Sequence, residues 1–197
     1  MGAVAVAESD TSTVYAGGGE KTVRGNVSFG YGIWKTADAG KTWARAGLDK
    51  SRFVSRLRIH PTNPNVVYAA VLGDIFKPDA MRGVFKTTDG GQNWEKVLFV
   101  NDVSGAVDLI LDPNNPEVLY ASTWELKRTP YSLESGGPGS KLFKSSNGGK
   151  TWEELSSKAT FPKGVLGIMG IAVSPKNSNR LYAIIENEKG GVYTSTD

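Results

Sequence analysis

A hairpin written three times over limits what this chain can fold into. Residues 82–97 read RGVFKTTDGGQNWEKV: an apolar strand, a turn rich in Asp and Gly, and a returning strand that opens with tryptophan. Residues 32–46, GIWKTADAGKTWARA, and 141–155, KLFKSSNGGKTWEEL, repeat it. A fourth copy starts at 191, GVYTSTD, and reaches its aspartate at Asp197. The turn chemistry is specific. Asp89 can accept hydrogen bonds from nearby backbone N–H groups, and the glycines after it tolerate the positive φ such a turn needs. Trp94 follows closely enough to fold back over the hairpin and bury its indole. A second motif alternates with the first: AVAESDTSTVYAGG at 5–18, IHPTNPNVVYAA at 59–70, LDPNNPEVLYAS at 111–122 and VSPKNSNRLYAI at 173–184. In each, a short apolar strand runs into a turn and a β-branched strand ending in Tyr-Ala returns. Pro61, Pro113 and Pro175 fix φ where the chain leaves the first strand. Tyr15, Tyr68, Tyr120 and Tyr182 occupy one equivalent place per copy.

Each period of roughly 50 residues therefore carries four short strands in two hairpins, the size and strand count of one β-propeller blade. The expected fold is all-β: a single propeller domain over residues 1–197, built of four-stranded antiparallel blades, about three and three-quarters of them present. The blades fall at about 1–47, 48–99, 100–156 and an incomplete 157–197. Strands are expected at 3–7, 13–17, 32–36 and 42–46; at 54–59, 65–71, 83–87 and 93–99; at 106–111, 117–122, 141–145 and 151–155; and at 167–173, 180–185 and 191–195. Residues 156–165 read as a linker, and no amphipathic helix is evident.

Composition narrows the function classes. The 24 glycines and 10% aromatic content suit short strands joined by tight turns. The net charge of +3 is scattered along the chain, which leaves no nucleic-acid footprint. There is no cysteine, hence no disulfide framework, no thiolate zinc site and no thiol nucleophile. The single histidine, His60, opens a Pro turn, so a turn role outweighs catalysis, and neither a zinc site nor a Ser-His-Asp triad is expected. No cofactor is implied. No apolar run of about 18 residues is present to span a membrane. The opening MGAVAVAESD has neither the basic region nor the apolar length of a signal peptide.

The turn motif resembles the Asp box, Ser/Thr-x-Asp-x-Gly-x-Thr-Trp, also called the BNR repeat. Residues 36–43, TADAGKTW, match it throughout; 87–94 carries Asn93 in place of Thr, and 145–152 carries Asn147 in place of Asp. Coupled to the preceding Pro-turn and Tyr-Ala unit, the boxes make the whole chain similar to the bacterial proteins called BNR-repeat or sortilin/Vps10-like glycosyl hydrolases. Asp-box propellers include sialidases, xyloglucanases, sortilin-type receptors and photosystem assembly factors, so the resemblance specifies a fold more narrowly than a chemistry. Asp38, Trp43, Asp89, Trp94, Asn147, Trp152 and Asp197 are read as structural: a job that every blade repeats is turn stability, and an amide at 147 can hold a turn but cannot act as an acid or base. Family propellers close with more blades than are present. That leaves three options open: an excerpt of a longer chain, a ring closed by self-association, or a small four-bladed ring. The parent protein is expected to be secreted, periplasmic or on the cell surface.

Function is expected where the repeat is broken, in the connections between second and third strands. These are 17–32, 72–83, 122–140 and the short ENEKGG of the fourth blade, all projecting from the face opposite the Asp boxes. They hold carboxylates (Glu20, Asp74, Asp79, Glu125, Glu134), arginines (Arg24, Arg82, Arg128) and aromatics (Phe29, Tyr31, Phe76, Trp124, Tyr131). Carboxylates beside aromatic platforms suit carbohydrate binding, and hydrolysis needs two carboxyl groups about 5–10 Å apart across the scissile bond. Asp74, Asp102 and Glu125 are the catalytic candidates; Arg24, Arg82, Trp124, Arg128 and Tyr131 are the ligand-binding candidates. Asp102 and Asp108 flank the start of the third blade, and Asp102 can also face the central axis. A sialidase-like site would need three converging arginines and a Tyr nucleophile, without its usual surrounding motifs here. A xyloglucanase-like site would place an aspartate just after a second strand, and Asp74 comes near that place in a different local sequence. The expected function is a glycosyl-hydrolase-like, carbohydrate-associated module with its ligand site on the loop face, inactive on its own. The alternative is a non-catalytic sortilin-like scaffold for peptides or proteins; a purely structural repeat is the third option.

Overall fold

The computed structural model describes residues 1–196, and the aspartate expected to open the fourth Asp box, Asp197, lies outside the described residues. The first blade is β1 (Ala3–Ala7), β2 (Asp10–Gly17), β3 (Ile33–Thr36) and β4 (Ala44–Arg45). The second is β5 (Val54–His60), β6 (Asn63–Val71), β7 (Gly83–Thr87) and β8 (Glu95–Leu98). The third is β9 (Ser104–Leu111), β10 (Leu119–Arg128), β11 (Leu133–Ser135), β12 (Leu142–Ser145) and β13 (Glu153–Glu154). The fourth holds β14 (Met169–Ser174), β15 (Asn177–Ile185) and β16 (Gly191–Ser195). Every pairing is antiparallel and consecutive, apart from the added β11. The inner strands β1, β5, β9 and β14 each contact the next, which sets the blades around one axis as a partial β-propeller. Residues 156–165 form turns, with Phe161 packed on the core between the third and fourth blades.

Tertiary structure departs from expectation chiefly in the third blade. Its second strand does not stop at Ser122. It continues to Arg128 and pairs back with β11 through Leu126–Ser135, Lys127–Glu134 and Arg128–Leu133. Trp124 and Leu126 are buried on that extension, so its apolar face pulls half of the expected loop into a hairpin.

The Asp boxes show why the turn repeats. In the second box Thr87 Oγ1 donates to Asp89 Oδ1 at 2.8 Å and accepts from the N–H of Gly91 at 3.0 Å. Asp89 Oδ1 accepts from the N–H of Asn93 at 3.0 Å, and Oδ2 from Asn93 Nδ2 at 2.8 Å. The first box repeats this with Thr36, Asp38, Gly40 and Thr42. In the third, the last bond runs the other way: Asn147 Nδ2 donates to Thr151 Oγ1 at 2.8 Å. The network tolerates the amide because the hydroxyl can accept as well as donate. Gly90 and Gly91 have φ of +77° and +98°, the region only glycine enters without strain. Each turn is tied to the first hairpin of its own blade: Ala39 N–H donates to Ser12 O, Gly90 N–H to Asn65 O and Gly148 N–H to Glu117 O.

Hydrogen bonding from Asn93 and Thr87 holds Asp89 at a pKa of about 2, and bonds from Thr42 and Thr36 do the same for Asp38. The folded values lie below the ordinary 3.8. Their stabilisation is therefore complete above about pH 4 and is lost as pH falls through about 2. Asp89→Asn is expected to flatten the acid limb of a urea-unfolding series between those values while folding normally, whereas Asp89→Ala loses stability at neutral pH as well. An acid limb identical to the parent's in both variants would show that the box carboxylate is not part of that transition.

The blades are sewn together by one recurring pair. Tyr15 and Lys35, Tyr68 and Lys86, and Tyr120 and Lys144 are cross-strand partners, each ammonium lying 5.2–5.6 Å from the ring centroid. Tyr15 OH donates to Pro64 O of the next blade at 2.9 Å, and Tyr68 OH to Gly148 O at 3.1 Å. Both hydroxyls are pushed up to about 12, chiefly by burial. Trp94 reaches back from the second blade to donate to Ala46 O at 2.7 Å, and Trp152 packs on the core shared by the second and third.

Candidate functional site

The interrupting segments meet on one face. Arg128 Nε donates to Arg24 O at 3.1 Å, joining the third segment to the first, and Arg128 N–H donates to Ile75 O of the second. Ser135 Oγ donates to Glu186 Oε2 at 2.7 Å, joining the third to the fourth. Beneath them lies a small separate core of Phe53, Leu72, Ile75, Val107, Trp124 and Leu126, capped by Val23, Val27 and Phe76. The interrupting segments are thus held by their own apolar contacts, not by the blades alone.

Two of the ligand-binding candidates, Trp124 and Arg82, are buried. Trp124 is 5% exposed, packs in this core, and its Nε1 donates to Ser135 Oγ at 3.0 Å. Arg82 is 1% exposed. Its Nη2 donates to Asp74 O at 2.6 Å and Lys77 O at 3.4 Å, and Nη1 to Val103 O at 3.0 Å. The guanidinium ties the 72–83 segment to the entry of β9. Arg24 is exposed and pairs with Glu20; Arg128 is half-buried; Tyr131 stands 97% exposed at the tip of the β10–β11 hairpin. Among the remaining loop aromatics Phe29 and Tyr31 are exposed, with the Arg52 guanidinium 5.0 and 5.7 Å from their ring centroids.

The three catalytic candidates do share a neighbourhood, because Arg82 feels Asp79, Asp74, Asp102 and Glu125 together. Their settings differ. Asp74 is buried, and its Oδ1 accepts from the N–H of Phe76 at 3.0 Å, which suits a turn former. Asp102 is exposed on the connection into β9, its carbonyl accepting from the N–H of Asp79. Glu125 is half-buried; its Oε2 accepts from Gly139 N–H at 2.8 Å and Ser104 Oγ at 3.4 Å, and its Oε1 has no hydrogen bond among the described residues. Glu125 borders a groove of about 380 Å³ between the 72–83 segment and the β10–β11 hairpin, with Phe76, Lys77, Lys127 and Glu134 also on its walls. Apolar walls with a few acceptors and cations form a surface that can grip a polyhydroxylated chain.

A second cleft, of about 480 Å³, opens on the axis beside the inner strands. Arg56 on β5 and Asp108 on β9 meet there at 2.7 Å, and Asp108 Oδ2 accepts from the N–H of Ile171 on β14 at 3.0 Å. Asp108 thus joins the second, third and fourth blades. Among the described residues no group of His, Cys, Asp or Glu is arranged to hold a metal ion, and no helix is long and apolar enough to cross a membrane.

Comparison with known proteins accounts for this architecture. Residues 31–164 match the model of the Sortilin-Vps10 family, described as sortilin, neurotensin receptor 3; that is more than half of the chain. The chain belongs to the Sortilin-Vps10 family. Among curated proteins, this Sortilin-Vps10 chain is 22% identical to the xyloglucanase Xgh74A of Acetivibrio thermocellus over 170 residues, 73% of the chain and 18% of the relative. Among solved structures it superposes on the GH74 xyloglucanase of Xanthomonas campestris with a TM-score of 0.69 at 16% identity, covering 98% of the chain and 28% of that enzyme. The GH74 enzyme of Niastella koreensis gives 0.66 at 19% identity, with 98% and 27% covered. The chain therefore spans under a third of the length of each of these relatives. At these identities the solved neighbours speak for the propeller fold, and the Sortilin-Vps10 match for the family.

Proposed function

We propose that this propeller segment is a carbohydrate-associated module of a glycosyl-hydrolase-like protein acting outside the cell, and that a glucan chain lies along the groove between residues 72–83 and the β10–β11 hairpin. The groove carries the reading: Phe76 offers a ring face, Glu125 and Glu134 offer acceptors for sugar hydroxyls, and Lys77 and Lys127 offer donors. Exposed Phe29, Tyr31 and Tyr131 on the same face supply further stacking surfaces for pyranose rings. Relationship to a xyloglucanase makes xyloglucan the polymer to try first. In affinity electrophoresis, xyloglucan in the gel is expected to retard the chain, and Phe76→Ala combined with Glu134→Ala is expected to restore its mobility by weakening binding about tenfold or more. Unchanged mobility of the parent chain in xyloglucan sinks this reading. A peptide-binding scaffold is the second reading. It is favoured by β11, whose outer edge is unpaired among the described residues and whose Leu133 and Glu134 are exposed, as strand addition requires.

A further inference from the structure

The inner strands carry charge where a repeat would carry apolar side chains. By register with the tyrosine repeated in each blade, Arg58 pairs with Tyr68 as Ala5 does with Tyr15, Ile110 with Tyr120 and Ala172 with Tyr182. Two positions earlier along each strand, Arg56 corresponds to Ala3, Asp108 and Gly170. The two arginines therefore share one face of β5; Arg56 and Lys21 of the first interrupting segment line the cleft, and Arg58 lies next to them along the strand. Among the described residues Asp108 is the one carboxylate paired with these cations, and both of its oxygens are already engaged. Oδ1 takes Arg56 Nε and the N–H of Leu109, and Oδ2 takes the N–H of Ile171. Glu186 on the far wall of the cleft is engaged by Ser135 Oγ and by the N–H of Ile168. Among the described residues neither Lys21 nor Arg58 has an ion-pair partner, and Arg58 makes only a 3.4 Å bond to Leu57 O.

Cations drawn together and half-buried repel one another. Burial first, and then Arg56, lower the pKa of both Lys21 and Arg58, with Asp108 offsetting part of the effect. Such a cluster is stabilised by an anion that enters it, and a guanidinium fork with open Nη atoms matches a planar carboxylate. The cleft is larger than a carboxylate alone needs, and Val107, Ile168 and Met169 give it apolar walls against which a sugar ring can lie.

We propose that the axial cleft lined by Lys21, Arg56 and Asp108, with Arg58 adjoining it on β5, is a subsite for a uronic acid residue of an acidic saccharide. It is separate from the groove, and it stands or falls independently of glucan binding there. The test is calorimetric titration of the 197-residue chain with oligogalacturonate, with its fully methyl-esterified form and with citrate. Oligogalacturonate is expected to bind, more weakly as salt is raised, and neither the methyl ester nor citrate is expected to match it. Lys21→Ala and Arg58→Gln are each expected to weaken binding about tenfold without lowering the melting temperature, and Lys21→Arg to retain it. Equal binding of the methyl ester would overturn the carboxylate assignment. Equal binding of citrate would reduce the cleft to a general anion patch and overturn the saccharide. Affinity untouched by both charge-removing variants would overturn the location.

Discussion

Arg82→Met is expected to lower the stability of the chain by about 3–5 kcal/mol, more than any single change on the loop face that touches solvent. The side chain is the largest of the fully buried ones. Methionine keeps much of its volume but none of its donors. Three carbonyls, those of Asp74, Lys77 and Val103, then lose their partner inside the protein. Asp79, Asp74, Asp102 and Glu125 lose the positive charge they surround. With a urea slope of about 2 kcal/mol/M, the unfolding midpoint drops by about 2 M. Arg82→Lys recovers little, because one ammonium cannot reach three carbonyls arranged for a planar fork. A midpoint that stays within error for Arg82→Met, together with lost ligand binding, would return Arg82 to the role first expected of it, a free ligand contact.

Trp124→Ala is expected to cost a similar amount, about 3–5 kcal/mol, by a different route. It removes the largest side chain from the small core under the loops, where Trp124 meets Phe53, Leu72, Val107 and Leu126. The β10–β11 extension depends on that burial, so amide exchange at 133–135 is expected to accelerate before exchange in the blade strands changes. Trp124→Phe keeps the packing and loses the bond to Ser135, and is expected to cost about 1–2 kcal/mol. Full stability of Trp124→Ala would instead mark the indole as a surface platform.

The two residues show what the sequence made legible and what it did not. Strand positions and turn chemistry were readable because they are local and repeated: Asp89, Gly90 and Gly91 act through neighbours a few positions away. Trp124 and Arg82 fall in segments that occur once, where nothing in the local pattern separates a buried aromatic from an exposed one. Burial there depends on three segments meeting, and that contact is encoded only in tertiary structure. Tyr131, by contrast, sits in a Thr-Pro-Tyr-Ser turn and is as exposed as such a turn implies. The axial cations are hidden for the opposite reason. Arg56 and Arg58 lie inside a strand of the repeat, where a charged side chain changes neither the strand pattern nor the turn spacing. The signal was present in RLRIH, whose alternate positions are charged where the first blade has AVAVA.

The tyrosine–lysine pairs give the array a direction. The seam between the first and second blades takes a hydroxyl and an ammonium from the earlier blade and an indole from the later one, at Tyr15, Lys35 and Trp94, and the next seam does the same with Tyr68, Lys86 and Trp152. Hook and eye are therefore on opposite sides of the second blade. A blade turned over would meet its neighbour hook to hook. Copying a whole period in the same orientation preserves every seam, so growth by tandem duplication is the change this architecture accepts most readily.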